Sequence, residues 1–204
     1  MKILFTGDFF YDYDDVNADF QSIINQIEVY DKVFINYEGS FSGNEKRKKS
    51  ISLTMSEKSL VLPRNTSLIL CNNHITDFGS SGIENTKKKI TENNLDCFGL
   101  NSTSSDKSHI KKITINETNL FIATLGWSNE ECIPASKNYP GIKPFSSKSI
   151  NELKVNISYL KNYFKILYIH AGYEWEKYPL PDHVGLAREA IDSGFDFVYF
   201  CHSH

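Results

Sequence analysis

Five short apolar segments constrain the fold of this chain more than any other feature of its sequence. Each is mostly apolar and only five or six residues long, which is typical of strands buried inside a sheet. Amphipathic stretches separate the segments, so the alternation predicts an α/β protein with layered helices and sheets. The segments are KILFT (2–6), KVFIN (32–36), SLILC (67–71), FKILYI (164–169) and FDFVYF (195–200).

Helical periodicity occupies the intervals between these segments. One apolar stripe runs from Phe20 to Ile27, and the last predicted helix covers about 182–193, with Gly194 placed to end it in a left-handed conformation. A further helix is predicted from apolar residues repeated every three or four positions. Its stripe consists of Ile150, Leu153, Ile157, Leu160 and Phe164.

A middle helix is predicted from its end signals. Ser81 and Glu84 stand at the spacing of a capping box, and Asn93 and Asn94 are able to end the helix. The stretch 110–125 has the alternation of a β-hairpin, which favours a mixed sheet. Because no repeat or linker interrupts the pattern, we expect a single domain over residues 1–204.

Composition excludes several classes of function. Lysine and arginine number 22 against 25 acidic residues, and this net charge of −3 provides no field that would attract nucleic acid. The start, MKILFTGD, is too short for a signal-peptide core, and no apolar segment approaches the roughly 18 residues that span a bilayer. We therefore expect a cytoplasmic chain, or the soluble part of a larger envelope-associated assembly.

Polar side chains follow each of the five apolar segments. Four of the six histidines occupy these junctions, and only His109 and His183 lie elsewhere. The carboxyl ends of strands form the open edge of an α/β sheet, so we expect these side chains to converge there. The junction residues are Asp8, Asn36, Glu38, Asn72, Asn73, His74, His170, His202 and His204.

Clustered carboxylates and imidazoles point to metal binding. Neighbouring carboxylates resist ionising together, and a divalent cation removes that cost. Mixed oxygen and nitrogen ligands suit Zn, Mn or Fe, and a set of this size suits two ions, which would activate water and hold the oxygens of a phosphoester. A structural zinc site is an alternative, built from Cys71 and His74 together with Cys201 and His202.

The motifs of this chain, in their order, resemble those of the bacterial capsule synthesis CapA family, also called poly-γ-glutamate synthesis proteins, a branch of the calcineurin-like metallophosphoesterases. The resemblance spans essentially the whole chain. It implies a four-layer α/β/β/α sandwich with mixed sheets and a centre of two divalent metal ions. The motifs are FTGD (5–8), NYEG (36–39), NNHITDFGSSGIENT (72–86), HAGYEWEKYP (170–179) and AREAIDSGFDFVYFCHSH (187–204).

The resemblance also implies a ligand set. Asp8 and His204 would hold one ion, and Asn73, His170 and His202 would hold the other. On this basis we expect a metal-dependent phosphoesterase-like hydrolase. Its substrate would be a phosphorylated small molecule or an anionic polymer, and proteins of the capsule machinery would be its partners.

Further roles follow from the same resemblance. Glu38 would bridge the two ions, with Asn36 as a substitute, and His74 would protonate the leaving oxygen while Asp77 orients its ring. Glu174 would contact the substrate or a metal ligand. A non-catalytic role, as a metal- or polymer-binding component of the capsule machinery, is the competing hypothesis.

Three departures from the family pattern favour that competing hypothesis. Asp8 is followed by Phe9 and Phe10 where metallophosphoesterases have Asp-x-His, Ile75 replaces a carboxylate, and Cys201 replaces a glycine. Family members continue beyond the last motif, so we also expect that the C-terminal part of the fold is missing from this sequence or is supplied by another chain.

Two further segments allow two interpretations each. The basic run Lys46 to Lys49 is expected to be a solvated loop, with binding of an anionic polymer as the alternative. Trp127 would either line a substrate pocket or lie in the core.

Overall fold

Two separate four-stranded sheets organise the chain, one in each of its two units. The computed structural model describes residues 1–45 and 49–203. Unit 1 comprises Met1–Phe98 and unit 2 comprises Gly99–His204. His204 and residues 46–48 lie outside the described residues, and with them the metal-ligand role predicted for His204.

The sheet of unit 1 is entirely parallel, with its strands in chain order. Its second and third strands are buried at every position, as expected where a parallel sheet is covered on both faces. The fourth strand is only three residues long and was not predicted from the sequence. The strands are β1 (Ile3–Phe9), β2 (Lys32–Tyr37), β3 (Thr66–Ile69) and β4 (Asp96–Phe98).

In unit 1, one α-helix connects β1 to β2 and another connects β3 to β4, whereas the described residues between β2 and β3 form a long loop with a 3-10 helix at Glu57–Leu60. Helix α1 (Ala18–Ile27) begins where the Asn17 side chain accepts a hydrogen bond of 2.8 Å from the Phe20 amide, and its buried face carries Phe20. Helix α2 (Gly79–Glu92) begins after Phe78, which provides no side-chain cap.

The predicted capping box of α2 is wrong. The Ser81 hydroxyl accepts a hydrogen bond from the Asn44 amide at 2.7 Å and so ties the helix to a loop, rather than capping an amide of α2. The predicted end is confirmed, because Asn93 follows the helix and Asn94 has a left-handed φ of 58°.

The sheet of unit 2 is mixed. Its first two strands form the predicted hairpin, whose turn residues Asn116 and Glu117 both have positive φ, and the other pairs are parallel. The mixed sheet is thus confirmed for unit 2, whereas the sheet of unit 1 is parallel. The strands are β5 (Ile110–Ile115), β6 (Thr118–Gly126), β7 (Tyr163–Ala171) and β8 (Phe197–His202).

Helices α3 (Ser147–Ile157) and α4 (Pro181–Asp192) pack on this sheet. Helix α3 buries Ile150, Leu153 and Ile157, but it ends there, so the predicted extension of its stripe is wrong. Leu160 packs on the core from the following turn, and Phe164 belongs to β7 and is 47% exposed. Gly194, with φ 108°, follows α4 as predicted.

The α/β class and the five strands read from the apolar segments are confirmed. The single-domain interpretation stays a prediction. Among the described residues, no helix combines the length and the apolar character needed to cross a bilayer.

A buried histidine makes the stability of unit 2 depend on pH. The side chain of His109 is 5% exposed, and burial, followed by the nearby Lys143 charge, lowers its pKa from 6.5 to about 4. As the pH falls below 6.5, His109 therefore binds a proton in the unfolded chain but stays neutral in the folded chain. We expect the free energy of unfolding to fall by about 2 kcal/mol more between pH 7 and pH 5 in the wild type than in His109→Gln. Urea unfolding at the two pH values measures this difference. An equal change in the free energy of unfolding in the wild type and in His109→Gln would contradict the prediction.

Candidate functional site

Carboxylate and amide side chains gather at the carboxyl ends of β1 and β2 in unit 1. Asp8 pairs with Asn36 in the parallel register, and the Asn36 side-chain amide donates a hydrogen bond to the Asp8 carboxylate. Glu38 directly follows β2, is 5% exposed, and is held by a 3.0 Å bond from its amide to the Phe9 carbonyl. Unit 1 therefore places three predicted site residues beside one another.

The Asn72 side chain shapes the segment that follows β3. Its amide nitrogen donates to the Tyr37 carbonyl at 2.8 Å, and its carbonyl oxygen accepts from the amides of His74 and Ile75 at 3.1 and 2.9 Å. This buried amide joins the segment Asn73–His74 to β2 and fixes its path. Asn73 and His74 are 7% and 8% exposed.

His74 and Asp77 form the predicted hydrogen-bonded pair. Nδ1 of His74 lies 2.8 Å from Oδ2 of Asp77, three residues along the chain. Because a carboxylate only accepts hydrogen bonds, Nδ1 carries the hydrogen, and Nε2 is the nitrogen left to act on a ligand.

Lys49 completes this group, and sequence reasoning missed it. Its ammonium lies 2.9 Å from Asp77 and 3.3 Å from Nδ1 of His74, and its side chain is 5% exposed. The interpretation of the basic run as a solvated loop is therefore wrong for Lys49, while residues 46–48 lie outside the described residues. The sequence shows only a run of basic residues, which does not indicate that the side chain of its last residue, Lys49, is buried.

Asp77 is ionised despite full burial. Burial raises the pKa of a carboxylate, but hydrogen bonds from His74, Lys49 and the Leu53 amide outweigh this effect and hold the pKa of Asp77 below its ordinary value. Unit 1 thus contains a buried negative charge whose main partners are an imidazole and an ammonium.

Two imidazoles stand side by side at the carboxyl ends of β7 and β8 in unit 2. His170 and His202 are 0% and 2% exposed, and their ring centroids are 4.6 Å apart. Parallel pairing sets Ala171 opposite His202, which brings the two rings to the same end of the sheet. The predicted convergence of these two residues is observed within unit 2.

Further groups of unit 2 surround the imidazole pair. Nε2 of His202 lies 3.7 Å from a Glu130 carboxylate oxygen, and the Cys201 sulfur lies 3.4 Å from Nδ1 of His170. Sequence reasoning missed Glu130, which follows no buried strand directly. Gly172 has φ 134°, and a Cβ there would meet Ser203 at 2.9 Å, so glycine is required beside the pair.

Three other residues take different positions. Glu174 lies in an exposed stretch after β7. Phe10, at the place of the histidine expected in the first motif, is 39% exposed. Trp127 packs edge-on against His183 and Tyr173 at the margin of the core of unit 2.

The donor set is suited to a metal ion. Unit 1 contributes the carboxylates of Asp8 and Glu38, and unit 2 contributes the imidazoles of His170 and His202, which are donor groups that metal ions bind. Oxygen and imidazole donors together suit Zn, Mn and Fe.

The sequence matches the family model described as bacterial capsule synthesis protein PGA_cap over residues 2–204. It is 30% identical over 173 residues to the capsule biosynthesis protein CapA of Bacillus anthracis, covering 78% of this chain and 40% of that protein. It is 32% identical over 144 residues to the PGA biosynthesis protein CapA of Bacillus subtilis strain 168, covering 68% of this chain and 37% of that protein. The chain thus spans less than half the length of these curated relatives.

Solved structures share the fold. A hypothetical protein from Thermus thermophilus superposes with a TM-score of 0.55 at 16% identity, covering 100% of this chain and 68% of that one. A Staphylococcus aureus protein, described as a candidate 5'-nucleotidase in complex with α-ketoglutarate, superposes with a TM-score of 0.55 at 12% identity, covering 98% of this chain and 45% of that one. At these identities the likeness establishes the fold alone, an α/β architecture with two sheets.

Replacing Lys49 by methionine should destabilise the fold. The change leaves the buried Asp77 charge with His74 and the Leu53 amide as its remaining partners, and we expect a loss of about 2 kcal/mol in the free energy of unfolding. Lys88→Met, which removes an exposed ion pair with Glu92 from α2, is the matched control and should change it by less than about 0.5 kcal/mol. Equal effects of the two substitutions in urea unfolding would show that Lys49 has no special role.

Proposed function

Because this chain belongs to the bacterial capsule synthesis protein family, we propose that it is a metal-dependent hydrolase of a phosphoester or related bond that serves the synthesis of a capsule polymer such as poly-γ-glutamate. The observation that carries the proposal is the buried His74–Asp77 pair, which lies in the same unit as the Asp8 and Glu38 carboxylates. A structural role alone does not require an imidazole oriented in this way.

We assign the metal ligands predicted from the sequence to two divalent ions. Glu38 would bridge the ions, and Asn36, which already binds Asp8, would hold that carboxylate in place. The chemistry of the donors supports this assignment, because carboxylates alone favour Mg²⁺ or Ca²⁺ and the added imidazoles favour Zn, Mn or Fe. The assigned ligands are Asp8, Glu38, Asn73, His170, His202 and His204.

The residues of unit 1 supply the acid chemistry. Bound metal ions would lower the pKa of a coordinated water and polarise the phosphoryl group. His74, protonated on both nitrogens, would donate the Nε2 proton to the leaving oxygen, and Asp77 would stabilise the imidazolium through Nδ1. Lys49 keeps Asp77 ionised and in place, so the carboxylate orients the ring without taking the proton.

Substrate and partners follow from the proposed pathway. We propose a phosphorylated small molecule or an anionic polymer as substrate, with Glu174 as a contact from its exposed position, and proteins of the capsule machinery as partners. The chain would act in the cytoplasm or as part of a larger envelope-associated assembly.

A second candidate function is metal or polymer binding without catalysis. The observation that favours it is Phe10, an exposed aromatic side chain in place of a ligand histidine. One ion would then be held weakly, and the chain would use the other for binding.

Replacing His170 by alanine should remove both metal and turnover. We expect the wild type to bind nearly two equivalents of Mn²⁺ or Zn²⁺ and to hydrolyse an aryl phosphate or phosphodiester, and His170→Ala to lose at least half of the metal and more than about 100-fold in rate. Metal content by elemental analysis and the hydrolysis rate measure the two effects. His109→Gln, a buried histidine of the same unit outside the ligand set, should retain both. Metal without turnover in the wild type would support the binding function instead.

Replacing His74 by asparagine should separate catalysis from metal binding. The variant loses the donor to the leaving oxygen, so we expect the rate to fall by about 100-fold or more while the metal content stays unchanged. Asp77→Asn should lower the rate by a smaller factor, because the ring keeps its proton donor but loses the carboxylate that orients it. Unchanged rates in His74→Asn would remove this residue from the mechanism.

A further inference from the structure

A polar pocket lies wholly within unit 2, at the start of α3. It has a volume of about 340 Å³ and is lined by Ser146, Lys148 and Ser149 of the helix start, by Lys143 and Glu152, and by Asn101. None of these residues belongs to the site proposed above, so the pocket calls for its own explanation.

The first turn of α3 presents hydrogen-bond donors at this pocket. The Ser146 hydroxyl accepts from the Ser149 amide, and the Ser146 carbonyl accepts from the Ile150 amide. The amides of Ser147 and Lys148 have no acceptor within the helix, and the helix dipole adds partial positive charge at this end. This geometry favours an anion, but a helix start alone does not define a site.

Asn101 provides the independent observation. This side chain is 1% exposed, and its carbonyl oxygen accepts two hydrogen bonds from His109, one from the backbone amide at 2.8 Å and one from Nδ1 at 3.0 Å. Because a backbone amide can only donate, the atom facing His109 is oxygen, and the amide nitrogen is the polar atom of Asn101 left for the pocket. In residues 1–45 and 49–203, nothing accepts a hydrogen bond from this nitrogen.

This nitrogen is not one of the fully enclosed side-chain atoms that lack a partner in the described residues, so it is accessible from the pocket and needs an acceptor there. Nearly all buried polar groups in proteins are hydrogen-bonded, and those left over indicate a missing ligand or water. The Asn101 amide can only donate, as can the first-turn amides of α3, so a group that satisfies both must be an acceptor.

The charges around the pocket also favour an anion. Lys143 and Lys148 line it together with one carboxylate, Glu152, so the balance is one excess positive charge. Glu152 is paired with Lys143, and this contact holds the pKa of Glu152 below its ordinary value. Lys148, which is exposed in the first turn, provides the unmatched charge.

We propose that unit 2 contains an oxyanion-binding site at the start of α3, where a carboxylate or phosphate group accepts hydrogen bonds from Asn101 and the first turn of the helix and pairs with Lys148. The site is independent of the proposed hydrolysis and of the metal ligands. A carboxylate or phosphate could be a free small molecule or a group on a longer chain, which share the same oxygen acceptors.

The test uses the whole chain in the His170→Ala background with a chelator, so that no metal contributes to anion binding. Inorganic phosphate, glutarate and a poly-glutamate oligomer are titrated separately, and binding is followed by the NMR signal of the Asn101 side-chain amide and by calorimetry. We expect saturable shifts of this signal. Tighter binding of the oligomer than of glutarate would indicate that the ligand is a polymer. Equal or weaker binding of the oligomer would indicate that the ligand is a free small molecule.

Three variants test the residues. Asn101→Asp keeps the acceptor for His109 but replaces the donor, and should weaken binding by about tenfold or more. Lys148→Gln should weaken it by about threefold, whereas Lys154→Gln, in the last turn of the same helix, should leave it unchanged. Glu152→Gln should strengthen binding, because it releases Lys143.

Lys148→Gln and Glu152→Gln alter exposed or half-exposed charges, so they keep the test valid if Asn101→Asp does not fold. Absence of saturable binding in the parent protein, or binding that is insensitive to Lys148 and Glu152, overturns the proposal. Neither result bears on the hydrolase, which is tested by metal content and turnover.

Discussion

Parallel strand pairing is the constraint on which the candidate site residues of each sheet depend. Parallel strands need long crossovers, which are usually helical, and such helices cover the faces of the sheet and leave its carboxyl edge open. In unit 1 the register between β1 and β2 sets Asp8 beside Asn36, and in unit 2 the register between β7 and β8 brings the rings of His170 and His202 together. Residues distant in sequence thus become neighbours through backbone hydrogen bonds, before any ligand is involved.

The strands and their polar ends could be predicted from the sequence, because a buried strand is apolar on both faces and the following residue is not. The hairpin was equally clear from its alternation around a polar turn. The pattern of apolar segments did not predict β4, because its three residues are too few to form such a pattern. The helical spacing of apolar residues misplaced the end of α3. Leu160 and Phe164 continue that spacing by chance, although the chain has already turned toward β7.

The side-chain partners could not be predicted in the same way. Ser81 satisfies a capping-box spacing, yet its hydroxyl is used by Asn44, a tertiary contact that no local pattern encodes. Lys49 follows three basic residues in sequence, yet its ammonium contacts Asp77. A buried carboxylate is stabilised by a nearby cation, and this contact depends on the tertiary structure. The His74–Asp77 contact was predictable because the two residues are three positions apart in the sequence, whereas Glu130 and His202 are brought together only by the sheet.

His202 illustrates how a single position can serve two opposed demands. Its backbone has φ 103°, a region that side chains other than glycine rarely adopt, and such residues carry a conformational cost of about 1–3 kcal/mol. Glycine at this position would relieve the torsional strain of the backbone. It would also remove one of the two imidazoles that the sheet holds side by side, so a relaxed backbone and a paired imidazole exclude each other at this residue.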